Sequence, residues 1–126
     1  MRLAVALAAA VVGTTLVDDL LDGSRLSHPR SARLLAGALV LAAALLVLAP
    51  RAGSLAITVG AGIAAGGALA TLVAGVAWNG GVPNPLVAGG IAFNLADVAI
   101  VVGDALLIGG ALLHAFRHRD RLGAPV

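Results

Sequence analysis

Residues 55–78 read LAITVGAGIAAGGALATLVAGVAW, a run without a single charged side chain. A helix crossing the hydrocarbon core of a bilayer needs roughly 17–25 apolar residues, and this run supplies them. Its wealth of Gly and Ala suits lipid, where small side chains let neighbouring backbones approach closely. Three comparable runs surround it. One starts near residues 86–91 and continues to Phe116; one covers Leu34 to Ala49; one covers Leu3 to about Leu21. Helices are therefore expected at about 3–21, 34–49, 55–78 and 89–116. The second is short, and its flanking Arg33 and Arg51 are expected to snorkel to the interface.

Composition points the same way. The 126 residues suffice for one domain, 1–126, and are 60% hydrophobic but only 11% charged. Mean hydropathy is +1.06. A soluble domain of this size needs a polar shell that such a chain cannot supply. The expected fold class is all-α, an integral membrane bundle of four transmembrane helices. Residues 2–17 have the look of a cleaved leader, but Asp18, Asp19 and Asp22 stand where small residues should precede a cleavage site, so this stretch is read as a retained first helix.

The connections are brief. Residues 23–33 are polar, Pro50 to Ser54 is a tight turn, and Pro83 and Pro85 keep residues 79–90 from being helical throughout. All eight basic residues are Arg. With the amino end inside, the inner face carries Arg2, Arg51, Arg117, Arg119 and Arg121, and the outer face Arg25, Arg30 and Arg33. The bias places both termini in the cytoplasm. Trp78 and Phe93 flank the outer loop, and Phe116 marks the inner end of the last helix. The sequence pI of about 11.2 thus reflects topology. No basic stripe with interleaved aromatics suggests a nucleic-acid partner. Gly60, Gly62, Gly66 and Gly67 lie inside an apolar helix and read as packing positions, not a phosphate cradle.

Few residues can carry chemistry. The absence of cysteine excludes thiolate metal sites and a Cys nucleophile. His28, His114 and His118 fall at membrane edges with no metal-site spacing, and nothing implies a metal or a cofactor. Thr14 and Thr15 read as backbone-bonded membrane-helix residues. That leaves Asp97 and Asp104 inside the fourth apolar run, where a carboxylate costs about 2.5 kcal/mol or more on insertion scales and is a functional candidate by default. Seven residues apart, they share a face but sit about 10 Å apart along the axis, too far to share a proton. Asn94 precedes Asp97 by three residues and shares its face. Asp104 is expected to be a buried polar anchor bonded to Thr58 or Thr71.

Phe93-Asn94-Leu95-Ala96-Asp97 resembles the Phe-Asn-x-Ala-Asp motif of bacterial signal peptidase II, the lipoprotein signal peptidase. Gly90-Ile91-Ala92 before it and Val98 to Gly103 after it are also similar. Gly66-Gly67-Ala68-Leu69 resembles the start of the family's Gly-Gly-Ala-x-Gly-Asn-x-x-Asp-Arg motif, and Asp18-Asp19-Leu20 its Asp-Gln-x-x-Lys. The resemblance implies an intramembrane aspartic endopeptidase of the bacterial cytoplasmic membrane. In it, two carboxylates on the third and fourth helices activate a water, one as base and one as acid. The implied substrate is a prolipoprotein signal peptide, and the surroundings are membrane lipid.

The departures are specific. Continuing the third-helix motif puts Ala70 for Gly, Thr71 for Asn, Ala74 for the catalytic Asp and Gly75 for Arg. Asp22 stands where the family has Lys, and the outer segment between the first two helices is reduced to residues 23–33. Only Asp97 of the catalytic pair is matched; Phe93, Asn94, Asp18 and Thr71 are candidate supporting residues. The expectation is an impaired or non-catalytic relative. Alternatives are an active peptidase in which Asp18 or Asp19 substitutes for the missing acid, or a small proton- or cation-coupled transporter subunit using Asp97 and Asp104.

Overall fold

A computed structural model describes residues 1–22, 27–78, 81–84 and 86–119. Four long helices dominate it: α1 (Arg2–Asp22), α2 (Ala32–Leu48), α3 (Leu55–Ala77) and α4 (Leu95–Arg117). By length and composition all four can cross a membrane. A 3₁₀ turn, Ala49–Ala52, joins α2 to α3. Four short strands lie at the other end of the bundle: β1 (Ser27–His28), β2 (Val82–Pro83), β3 (Leu86–Ala88) and β4 (Ile91–Phe93). We call these the turn end and the strand end.

Local chemistry sets the helix starts. Ser31 caps α2 by accepting a bond from Leu34 N at 3.3 Å, and Ser54 caps α3 through Ile57 N at 3.5 Å. The Ser31 cap starts α2 two residues before the expected Leu34. At α4 the difference is larger. Hydropathy alone extends the fourth helix back to residue 89, but residues 86–93 form an antiparallel hairpin instead. Gly89 and Gly90 turn it with φ of 58° and 79°, a pair of left-handed values that glycine adopts freely and that suits a two-residue hairpin turn. Phe93 therefore lies on β4, and the helix begins only after Asn94.

α3 is the hub, packing against α1, α2 and α4. Its glycines divide between two faces. A Cβ on Gly60 would meet Leu107 N at 2.5 Å, and one on Gly67 would meet Ala96 O at 2.5 Å, so these two admit α4. A Cβ on Gly62 would meet Ala4 O at 2.8 Å, and one on Gly66 would meet Ala8 O at 2.9 Å, so these two admit α1. The small-residue pattern is thus consumed within the chain. α2 packs on α3 through a patch of Ala42, Ala65 and Ala68, with Leu45 and Leu69 beside it.

The interior is built of small side chains. The largest fully buried ones are Val82, Asn84, Asn94 and Thr15, whereas leucines, valines and isoleucines cover the outside of every long helix. A water-soluble bundle arranges these the other way round. An exterior of this kind, with backbone groups satisfied within helices, suits a hydrocarbon surround. Thr14 and Thr15 bond to Ala10 O and Val11 O at 2.8 and 2.7 Å, so their hydroxyls are satisfied by their own helix.

Candidate functional site

The polar groups gather at the strand end, around the start of α4. Asn94 has an extended backbone, φ −125° and ψ 176°, and its side chain accepts a bond from Asp97 N at 2.9 Å. Asp97 Oδ2 in return accepts from Asn94 N at 3.2 Å. Two backbone N–H groups that the first helical turn would leave unpaired are thereby satisfied reciprocally. Asn94 is 1% exposed, and its Nδ2 donates to Pro83 O at 2.9 Å. That bond ties α4 to β2. β2 pairs with β1, Ser27 opposite Pro83 and His28 opposite Val82, so β1 lies beside the same spot.

This draws Arg30 to Asp97. The guanidinium Nη2 stands 4.0 Å from Asp97 Oδ1, with both side chains about one-third exposed. The pair forms the mouth of a pocket of about 180 Å³ between α2 and α4, walled by Leu34, Leu35 and Ile100, with Thr71 on α3 behind it. The Thr71 hydroxyl is buried and has no hydrogen-bond partner. An unpaired buried hydroxyl is costly, so this one is available to a ligand or a water.

The α3–α4 register shows what faces Asp97 across the bundle. Gly67 lies on Ala96 and Ile100, and Gly103 on Ala64. Advancing this antiparallel register puts Ala70 and Thr71 level with Asp97, and Ala74 about one turn nearer the strand end, level with Phe93 and Asn94. Ala74 is 1% exposed and offers only a methyl group. Side chains lean toward the amino end of their own helix. A longer group at 74 would therefore lean down toward Asp97, which itself leans up.

Among the described residues, the polar partners of Asp97 are Asn94 and Arg30. Asp18, on α1, is half-buried and is not one of them, and its neighbour Asp19 is 8% exposed. The expected anchor at Asp104 is not found. Thr58 donates instead to Ser54 O at 2.9 Å, Thr71 has no hydrogen-bond partner, and Asp104 is exposed. Asp104 points outward because Gly103, its neighbour in sequence, takes the place against α3. No cluster of three or more metal-ligating side chains occurs among the described residues.

Sequence reasoning missed Arg30, whose role depends on β1–β2 pairing across 55 residues of chain, and the buried Asn84, which follows β2. The flanking Pro83 and Pro85 marked the loop but not which neighbour it would clasp. No protein-family model, curated protein or solved structure matches the chain.

Proposed function

We propose that this chain is a multi-pass protein of the bacterial cytoplasmic membrane, both termini inside, that is related to signal peptidase II but does not hydrolyse peptide bonds. It binds a prolipoprotein signal peptide, or the lipid-modified segment beside it, without cutting. The motif from Phe93 to Asp97 and the apolar exterior support the relationship, and the arginine distribution supports the orientation.

One observation carries the loss of hydrolysis. Asp97 faces an arginine and a helix cap, with a methyl group at position 74, where an aspartic mechanism asks for a second acid within hydrogen-bond reach of about 2.6–3.2 Å, directly or through a water. Asp97 Oδ2 accepts from a backbone N–H, and Oδ1 faces a guanidinium. A carboxylate used in this way positions the start of a helix and offers a fixed polar edge. Among the described residues, its hydrogen-bond and ion-pair partners include no acid to polarise a scissile carbonyl. The pocket beside it, apolar apart from Arg30, Thr71 and Asp97, suits an apolar peptide or acyl segment with a polar group at its mouth.

The test is expression in cells deprived of their own lipoprotein signal peptidase. Prolipoprotein should stay uncut, and should crosslink to a photoreactive group placed at Leu34. Globomycin-sensitive cutting by the unaltered chain, abolished in Asp97→Asn, would overturn the proposal. Ala74→Asp combined with Arg30→Ala is expected to raise processing above background, because the two carboxylates would then lean toward each other and Asp97 would lose its guanidinium neighbour.

A further inference from the structure

A second, longer groove opens below the first. It has a volume of about 430 Å³ and runs along α2 from Arg33 to Leu45, with Ala64 and Ala68 as its floor and Asp104 on its far wall. Twelve residue steps make it about 18 Å long, close to half a bilayer. It exists because α2 packs on α3 and the 3₁₀ turn but has no comparable contact with α4. Nothing lies within 4 Å of where a Cβ on Gly37 would point.

Asp104 is the unusual feature of this groove. It lies about 14 Å from the start of α4 and about 20 Å from its end, so no lipid headgroup reaches it. Among the described residues it forms no hydrogen bond or ion pair. Arg33 lies in the same groove but at the opposite end. Leu35 packs where a Cβ on Gly75 would point and Ala42 packs on Ala65 and Ala68, which sets Arg33 near the level of Ala77. Gly103 on Ala64 sets Asp104 near the level of Ile63, roughly 21 Å away along the axis. One side chain cannot bridge that gap. A second copy of this chain fares no better, because its arginines on the described helices sit at the ends, at Arg2, Arg33, Arg51 and Arg117.

We propose that this groove docks a transmembrane helix of a different membrane protein, one that carries a lysine or arginine near mid-span, and that Asp104 is its counter-charge. In hydrocarbon such charges are tolerated when they pair with one another, and the small residues of the floor allow the close backbone approach that membrane helix pairs use. The buried, unpartnered Thr71 hydroxyl in the same groove offers a second polar contact. The inference rests on the membrane reading alone and is independent of whether Asp97 supports cleavage.

The test uses the full chain reconstituted in phosphatidylcholine vesicles with synthetic Leu/Ala transmembrane peptides, association being read by energy transfer. A peptide with one central lysine should associate at least tenfold more strongly than the same peptide with leucine there. Asp104→Asn should reduce it to the leucine level, as should moving the lysine to the peptide end. Gly37→Leu, which fills the groove and leaves Asp104 in place, should weaken association with helical content unchanged. Equal association of lysine and leucine peptides would overturn the proposal. So would full binding by Asp104→Asn, or self-association of the chain that Asp104→Asn abolishes, since that gives the groove to a second copy.

Discussion

The two sides of α3 are packed in opposite ways. Toward α1 and α4 it is sealed along its middle, glycine against backbone, and toward α2 it is joined by one alanine patch with open grooves beside it. Within the most apolar window of each helix, 56% of α3 is buried but only 6% of α2. Both helices are apolar enough to span a membrane, so hydropathy does not distinguish them. Close approach does: a helix pair in lipid gains mainly from van der Waals contact and backbone proximity, and α2 offers α3 Leu35 and Leu45 on either side of Ala42 where α1 and α4 offer Ala4, Ala8, Ala96 and Gly103. The sealed side gives a rigid frame for the start of α4. The loose side gives the spaces in which something else can sit. Both candidate sites, at Asp97 and at Asp104, lie on that loose side.

The largest effect is expected from bulk placed on the sealed face. A Cβ on Gly103 would collide with the Ala64 backbone, and its Cβ at 2.8 Å. Gly103→Val should destabilise the bundle by about 1–3 kcal/mol, the range for overpacking a close-packed interior, as read by unfolding in detergent. A change below about 0.5 kcal/mol would mean that α3 and α4 are not sealed at this position.

A smaller effect is expected at the joint between the sides. Asn94→Ala removes the cap on Asp97 N and the bond to Pro83 O together. The cost should be about 1–2 kcal/mol, as for loss of an N-cap. Faster hydrogen exchange at Val82 and at the first turn of α4 would locate the damage. Asn94→Asp should restore much of the helix start but not the bond to Pro83, since a carboxylate lacks the donor.

The smallest effect belongs to the open face. Gly37→Ala meets no neighbour within 4 Å and should change stability by less than about 1 kcal/mol, in the stabilising direction, because alanine is the better helix former. Strong destabilisation there would show that α4 or another element closes on α2, and would remove the groove.

How far the sequence could be read varied by scale. The four apolar runs marked four helices because length and hydropathy are local quantities. The Phe93–Asp97 segment stands out in the sequence because a carboxylate inside an apolar run is costly. The start of α4 is not legible in hydropathy because Val87 to Ile91 carries no charge or polar group, and only strand pairing and the Gly89–Gly90 turn make it a hairpin. The anchor expected at Asp104 failed for a related reason: helix spacing shows which residues share a face but not which face meets a neighbour.

From the sequence alone it follows that this protein is built of helices fit for lipid, with carboxylates at Asp97 and Asp104 inside the last apolar run and an alanine at position 74. Those are properties of single segments and single residues. That Arg30 is the neighbour of Asp97, that Asp104 looks outward into an open groove, and that α2 is held loosely are consequences of the packed chain. Each of these depends on how segments far apart in the chain are rotated and spaced against one another. That arrangement follows from backbone contacts at a few glycines and from strand pairing between two loops, which no local pattern encodes.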